Sequence, residues 1–393
     1  MRLLFVKEHL AWPRSSGHDV HCYHLMRGLA DLGHTIALVT KSQPAEPALA
    51  GAALHSRWTF TSAPPPGPEV SLSLSWLQEK FRSYWGIEEQ AIRTVGGLAQ
   101  SFRADAVIVV GLNVLPYLGA VQQARRIWYA ADEWVWHHLS LMQWWQPSTW
   151  AELRPALIKG MYEWAYGSLL DRIWVVSEAD ARAMRWVVGN RAIDVIANGV
   201  DGDHYRPLAI DPEPDTCTFW GRLDFEPNIQ ALQWFCRRIW PTLRRLRPQA
   251  RFTIYGFQPT PTVLALANCD GVQLIADLPD LRQEIARHAV VVLPFVSGGG
   301  IKNKLLEAAS MGRPIVCSRR AAEGLRYLNQ PPFRIAHNPN DWVANLLQLW
   351  DDKAQRNDLG TTARNWVLQQ HTWEAAAQLA AAGLERSLQE PSP

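Results

Sequence analysis

The chain has 393 residues and a net charge of only +2. That length suggests two domains of ordinary size, and the balanced charge without a long Lys/Arg run speaks against a nucleic-acid binder. Apolar residues make up 48% and charged residues 19%, a balance that fits a globular protein with a full core.

The first predicted strand is Leu3 to Val6, and Pro13 to Gly17 carries turn residues. From about His18, the apolar residues Cys22, Leu25, Leu29 and Leu32 recur at helical spacing, with Gly33 as a C-terminal cap. Thr35 to Thr40 is the next strand, giving a βαβ unit that favours a parallel sheet covered by helices. Ser62 to Pro68 reads as a rigid loop. Ala104 to Val110, Arg126 to Ala130 and Arg172 to Val176 read as buried strands. Ser177 is expected to cap a helix by accepting from the Asp180 amide, and Asp194 to Ile196 is a short strand before an Asn198-Gly199 turn.

Tyr205 to Asp215 holds three prolines and reads as a connection between domains. The βα rhythm then restarts. Thr216 to Trp220 is a strand, and Pro227 opens a helix whose apolar stripe is Ile229, Leu232, Phe235, Ile239 and Leu243. Phe252 to Tyr255, Val290 to Leu293 and Pro314 to Cys317 are strands, and Ile301 to Met311 is a helix.

Three segments carry candidate chemistry. In Leu293 to Ala308 a strand ends, Gly298, Gly299 and Gly300 turn, and a helix begins. Glycines admit close backbone approach, and a helix N-terminus offers free N–H groups to a phosphate. Lys304 and Glu307 are spaced to share one helix face, so a cation for a diphosphate and a carboxylate for ribose hydroxyls fit there. A plain glycine turn flanked by surface charges explains the same spacing. Arg222 follows the strand of Phe219-Trp220-Gly221-Arg222-Leu223-Asp224, where open α/β sheets bind ligands. It suits a diphosphate, or it is structural and paired with Asp224 or a loop carbonyl. The third segment, Arg14 to Asp19, is a first βα loop but no G-x-G-x-x-G, so a nicotinamide cofactor has little support.

Taken together, the segments PRSSG, GLADLGHTIALVT, DRIWVVSEADA, VIANGVDGDHYRP, FWGRLDFEPNIQALQWF, RFTIYGFQP, LPFVSGGGIKNKLLEAASMGRPIV and HTWEAAAQLA resemble, in order and spacing, the retaining GT-B glycosyltransferases of family 4. Within that family the chain is similar to bacterial sugar transferases of exopolysaccharide and cell-surface glycan pathways. The resemblance implies an α/β fold of two Rossmann-like domains facing across a cleft, with a C-terminal helix crossing back. The expected division is 1–200 for the acceptor domain, 201–215 for the linker, 216–372 for the donor domain and 373–393 for the returning helix and tail.

The resemblance also implies roles. Arg222 and Lys304 would neutralise the departing diphosphate, Glu307 would hold the ribose, and Gly17, Gly299, Gly300, Ile301 and Lys302 would contact the donor. His18 and Asp132 are candidate sugar or acceptor contacts, although Asp132 also reads as a helix cap. Two positions depart from the family pattern: Gly299 stands where a glutamate is frequent, and Pro227 where a lysine is frequent. The expected substrates are a UDP- or GDP-sugar and a glycan, lipid-linked or other small acceptor, with neither metal nor cofactor. A sugar epimerase and a catalytically silent scaffold are the alternatives.

Other features are weaker. Asp201-Gly202-Asp203 is a DxD sequence, but it falls in a segment the family shares without a metal. His18, His21 and His24 drift around a helix and make a poor zinc site. The five cysteines are odd in number without a CxxC pair, which fits a reducing cytoplasm. The opening residues hold no apolar run of signal-peptide length, and no stretch approaches the ~18–20 residues of a membrane span. The expected location is cytoplasmic, with peripheral contact to the inner face of a membrane. Six of the twenty tryptophans lie between Trp134 and Trp164, as helix packing, an aromatic acceptor platform or a membrane-facing surface.

Overall fold

The computed structural model describes residues 1–11, 17–63, 70–130, 135, 147–189, 191–327 and 330–389. It divides into two compact units: Met1–Ala197 with Trp373–Pro393, and Asn198–Thr372.

The first unit is built on seven parallel strands: β1 (Arg2–Lys7), β2 (Thr35–Thr40), β3 (Ser56–Thr59), β4 (Ala106–Val110), β5 (Arg125–Ala130), β6 (Arg172–Val175) and β7 (Ala192–Val195), in the order β3-β2-β1-β4-β5-β6-β7. The strands read as continuous apolar runs because helices cover both faces. Leu4, Val6, Val107 and Val109 pack on one side with Ile92, Val95 and Leu98 of the Glu89–Ser101 helix and with Tyr162 and Tyr166 of the Leu153–Gly167 helix. Leu3, Phe5 and Ile108 pack on the other with Leu25 and Leu29 of the Gly17–Asp31 helix and with Trp373, Ala380 and Leu384. Those last three belong to the C-terminal helix, Trp373–Gln389, which is therefore part of this unit. It lies close enough to the Gly17–Asp31 helix that a Cβ on Gly28 would stand 2.6 Å from the Ala377 Cβ. Arg386 of the same helix joins Arg172 on the carboxylate of Asp194, each at 3.0 Å.

The second unit has six parallel strands: β8 (Glu213–Arg222), β9 (Arg251–Phe257), β10 (Val272–Ala276), β11 (His288–Leu293), β12 (Ile315–Ser318) and β13 (Arg334–Ala336), in the order β10-β9-β8-β11-β12-β13. Each unit is thus a doubly wound, Rossmann-like sheet. The winding reverses between β1 and β4 in the first and between β8 and β11 in the second, and a crevice opens beyond the strand ends at such a reversal.

At the C-terminal end of β8, Gly221 pairs with Gly256 of β9. A Cβ on Gly256 would lie 2.0 Å from the Gly221 carbonyl oxygen, so only glycine fits without moving a strand. Gly256→Ala is expected to cost about 3 kcal/mol through this overlap, lowering the melting temperature by roughly 6–12 °C, as read by calorimetry.

Local expectations and structure differ at several points. The helix opened by Pro227 ends at Arg238, and a second one runs Trp240–Leu246. Pro241 lacks the N–H and crowds the carbonyl one turn back, so the helix cannot continue through it. The apolar stripe survives the break, with Leu232, Phe235, Ile239 and Leu243 all buried. Leu32 falls just past the first helix and is exposed, while Gly33 caps that helix at φ +87°. The helix expected over Ile301 to Met311 is Asn303–Ser310. Residues 201–212 lie in the second unit and are tied down there, the Tyr205 carbonyl accepting from Ser310 Oγ at 2.6 Å. Ser177 accepts from the Asp180 amide at 3.1 Å, the cap its sequence suggests.

Candidate active site

The crevice of the second unit is lined by the end of β8, the loop after β11 and the Asn303–Ser310 helix. The loop's shape comes from its glycines: Gly298 has φ +87° and Gly300 φ +66°. A Cβ on Gly298 would stand 3.1 Å from the Pro227 ring, so Pro227 is a wall against which the loop turns. Gly299 differs from both neighbours: a Cβ there would meet nothing within 4 Å. The missing side chain at this position leaves open space, and packing does not impose it.

Lys302 does not reach outward. Its Nζ donates to the carbonyls of Gly298, Gly299 and Gly300, binding the loop to the start of the helix. The helix N-terminus has no side-chain cap from Lys302. Its first amides keep the partial positive charge that favours an anion. Ile301 is buried and anchors the loop by its side chain.

Lys304 and Glu307 share one face of the helix, as their spacing requires. The Lys304 ammonium donates to Asn228 Oδ1 at 3.2 Å and lies over the rings of Phe219 and Phe295 at 5.2 and 5.1 Å. It also packs against Gly221, where a Cβ would stand 3.1 Å from Lys304 Nζ. Burial disfavours the charged form and lowers this lysine to about 8, despite the nearby Glu307 carboxylate. Glu307 accepts from the Trp220 indole at 2.9 Å. Burial raises its carboxyl above the ordinary range, against the pull of Trp220, the Lys304 charge and Tyr205. Each group of this pair is thus held in a setting that a bound ligand's polar atoms would relieve.

Arg222 sits at the mouth of the crevice and forms a two-point pair with Asp224, at 3.0 and 2.6 Å. Both side chains are partly exposed, so this pair contributes little to stability. The structural reading of Arg222 and the ligand reading coexist: the pairing holds the guanidinium at the strand end without burying it.

Three residues that the motifs did not single out complete the site. Trp220 alternates onto the same strand face as Arg222, a signal present in the period of two. Asn228 is buried and bridges two parts of the site: its Nδ2 donates to the Arg222 carbonyl at 2.7 Å while its Oδ1 holds Lys304. Tyr205 comes from far along the chain, and the Glu307 carboxylate beside it, together with burial, raises its hydroxyl well above the ordinary range. Neither Asn228 nor Tyr205 had a spacing that pointed here. Trp220→Phe removes the bond that orients Glu307, and a ligand held by that carboxylate is expected to bind about ten- to a hundredfold more weakly, measured by calorimetric titration, because a hydrogen bond to a charged group contributes about 1.5–3 kcal/mol.

In the first unit, Gly17 is the first residue of its helix, so its amide is among those without a partner inside the helix. His18 follows it beside Gly111, where a Cβ would lie 3.9 Å from His18 Nδ1. Beneath them, at the end of β1, Lys7 Nζ pairs with Asp19 Oδ1 at 3.1 Å in a largely buried bridge. Arg14, Ser15, Ser16 and Asp132 lie outside the described residues, as do Trp134, Trp136, Trp144 and Trp145 of the tryptophan-rich stretch. These candidates are separate in the chain division from Arg222, Lys304 and Glu307.

Among the described residues, no three His, Cys, Asp or Glu side chains cluster as metal ligands. Asp201 of the DxD sequence accepts from the amides of Asp203 and His204 at 3.1 and 2.9 Å, forming a turn. His24 stacks on Trp373 at 4.5 Å, and His21 meets the same ring edge-on at 4.8 Å, so both are packing residues for the C-terminal helix. No described helix is long and apolar enough to cross a membrane.

Residues 15–204 match the family model for Glycosyltransferase Family 4, and residues 214–352 match that for Glycosyl transferases group 1. No curated protein matches the sequence. Among solved structures, HepE of Anabaena in complex with UDP and glucose is similar at 13% identity and a TM-score of 0.67, over 98% of this chain and 99% of that one. Sucrose-phosphate synthase of Thermosynechococcus elongatus is similar at 15% identity and a TM-score of 0.69, over 98% of each chain. A mutant of TarM from S. aureus, in complex with fondaparinux, alpha-GlcNAc-glycerol and UDP, is similar at 11% identity and a TM-score of 0.68, over 98% and 100%.

Proposed function

Since the chain belongs to the GT-B glycosyltransferases of the family 4 type, we propose that it takes its sugar from a UDP- or GDP-linked donor and transfers it with retention to a glycan, lipid-linked or other small acceptor. The observation that carries this reading is the Lys304–Glu307 pair behind a three-glycine loop, at the strand-order reversal of the second unit. A cation and a carboxylate on one helix face match a diphosphate and a ribose. The UDP held by HepE and by TarM supports a uridine donor.

In the proposed reaction, the bond between the sugar's anomeric carbon and the diphosphate oxygen breaks, and a bond from that carbon to the acceptor oxygen forms. Arg222, drawn from Asp224, and Lys304 meet the charge that develops on the departing diphosphate. The amides at Gly299, Gly300 and the helix start add fixed dipoles, and such preorganised charge is a large catalytic contribution. Lys302 shapes the loop that presents those amides. The acceptor proton passes to the diphosphate oxygen on the same face, so the scheme requires neither a dedicated base nor a metal. Glu307, oriented by Trp220, holds the ribose. Gly17, His18 and Asp132 are proposed sugar or acceptor contacts. The product belongs to cell-surface polysaccharide or glycoconjugate synthesis, made on the cytoplasmic side with peripheral contact to the membrane.

The test is nuclear magnetic resonance of the product formed from a UDP- or GDP-sugar and a polyol or glycan acceptor. A product with the donor's anomeric configuration is expected. An inverted product overturns the retaining scheme. A new nucleotide-linked or free sugar formed equally without acceptor points to the epimerase reading.

A further inference from the structure

The Leu153–Gly167 helix is apolar on both sides. Its inner residues Tyr162 and Tyr166 belong to the core of the first unit. Its outer stripe is Leu153, Leu157, Met161 and Trp164, with exposures of 42, 60, 53 and 64%. The spacing of four, then four, then three sets these side chains along one solvent-facing line. Helices of soluble proteins place polar residues there, and one apolar all round is normally covered.

The neighbouring helices extend the same character. The Trp76–Tyr84 helix packs on this one through Gln78, whose carbonyl accepts from the Tyr166 hydroxyl at 2.8 Å, and it exposes Trp76. On the other side, Val188 of the Glu178–Val188 helix lies against Gly167, and that helix exposes Trp186 at 91%. Among the charged residues of these three helices, the exposed ones are Lys80, Arg154, Arg182 and Arg185, against Glu178 alone. An exposed apolar stripe, with exposed indoles and an excess of exposed cations on the helices beside it, matches the chemistry of an anionic lipid surface: acyl chains accept the stripe, headgroups the indoles, and phosphates the cations.

We propose that the outer face of the Leu153–Gly167 helix, with Trp76 and Trp186 beside it, docks the protein on an anionic membrane. This rests on the membrane contact in the function proposed above and names the surface that makes it. The stripe inserts at the interface without spanning it, and the four cations add an attraction that salt screens.

The test is co-sedimentation of the full chain with vesicles of phosphatidylcholine and phosphatidylglycerol at roughly seven to three, against vesicles of phosphatidylcholine alone. The wild type is expected to bind the anionic vesicles, with binding reduced by high salt. L157E with W164E, both largely exposed, is expected to lower partitioning at least tenfold while circular dichroism and melting temperature stay unchanged. R182E with R185E is expected to lower it on anionic vesicles only. No binding of the wild type overturns the proposal, as does wild-type binding by L157E with W164E. A dimer in sedimentation velocity that this variant dissociates, without vesicle binding, also overturns it and makes a second copy the occupant. Sedimentation requires neither donor nor turnover, so its failure leaves the transferase reading standing, and a failed turnover assay leaves the docking surface standing.

Discussion

Lys304→Met is expected to lower kcat/KM for donor turnover by about 10²–10³-fold, the loss that follows removal of one preorganised charge from a transition state, or about 2.7–4 kcal/mol. Methionine keeps an apolar stem and lacks the ammonium that Asn228 holds and that lies over the rings of Phe219 and Phe295. The fold is expected to be unharmed, since burial already opposes the charge at this position. Steady-state kinetics beside a thermal melt separates the two effects. A variant that melts like the wild type and turns over within threefold of it would remove Lys304 from the reaction.

The second large effect is on pH. In the ligand-free protein, burial holds Lys304 at about 8, below its ordinary value of 10.5. A diphosphate beside the ammonium favours the charged form, so the bound complex has the higher value. Below about pH 8 the lysine is charged in both states and affinity is at its plateau. Above about pH 8 the free protein has lost the proton and binding must take one up. Affinity for the nucleoside diphosphate therefore falls about tenfold per pH unit, until the bound complex also deprotonates, each unit being 1.36 kcal/mol. Titration calorimetry between pH 7 and 10 reads this slope directly. In Lys304→Met the slope is expected to vanish, and a wild-type affinity flat across that range contradicts the assignment.

Most of the fold could be read from the chain because parallel strands buried on both faces are continuous apolar runs. Leu3 to Val6, Thr35 to Thr40 and Val290 to Leu293 all announce themselves in this way, whereas β3, β10 and β13 are short or alternate with exposed residues and do not. The site was legible where chemistry follows local spacing, as with the glycine loop and the pair Lys304 and Glu307. It was not legible where partners come from elsewhere in the chain. Asn228 reaches Lys304 across 76 positions and Trp220 reaches Glu307 across 87, and no local pattern encodes such a meeting. Lys302 shows the converse case: a cation in the right motif whose length lets it fold back onto its own loop carbonyls.

Binding of a nucleoside diphosphate in the proposed Lys304–Glu307 crevice is read by a thermal-shift panel with UDP, GDP, TDP and ADP on wild type and Glu307→Ala. A ligand at about 100 times its dissociation constant adds about 2.7 kcal/mol, or roughly 5–10 °C for a unit of this size. UDP or GDP is expected to produce such a shift in the wild type, and Glu307→Ala is expected to lose most of it. No shift with any of the four at millimolar concentration, or an equal shift in the variant, would contradict the proposed binding.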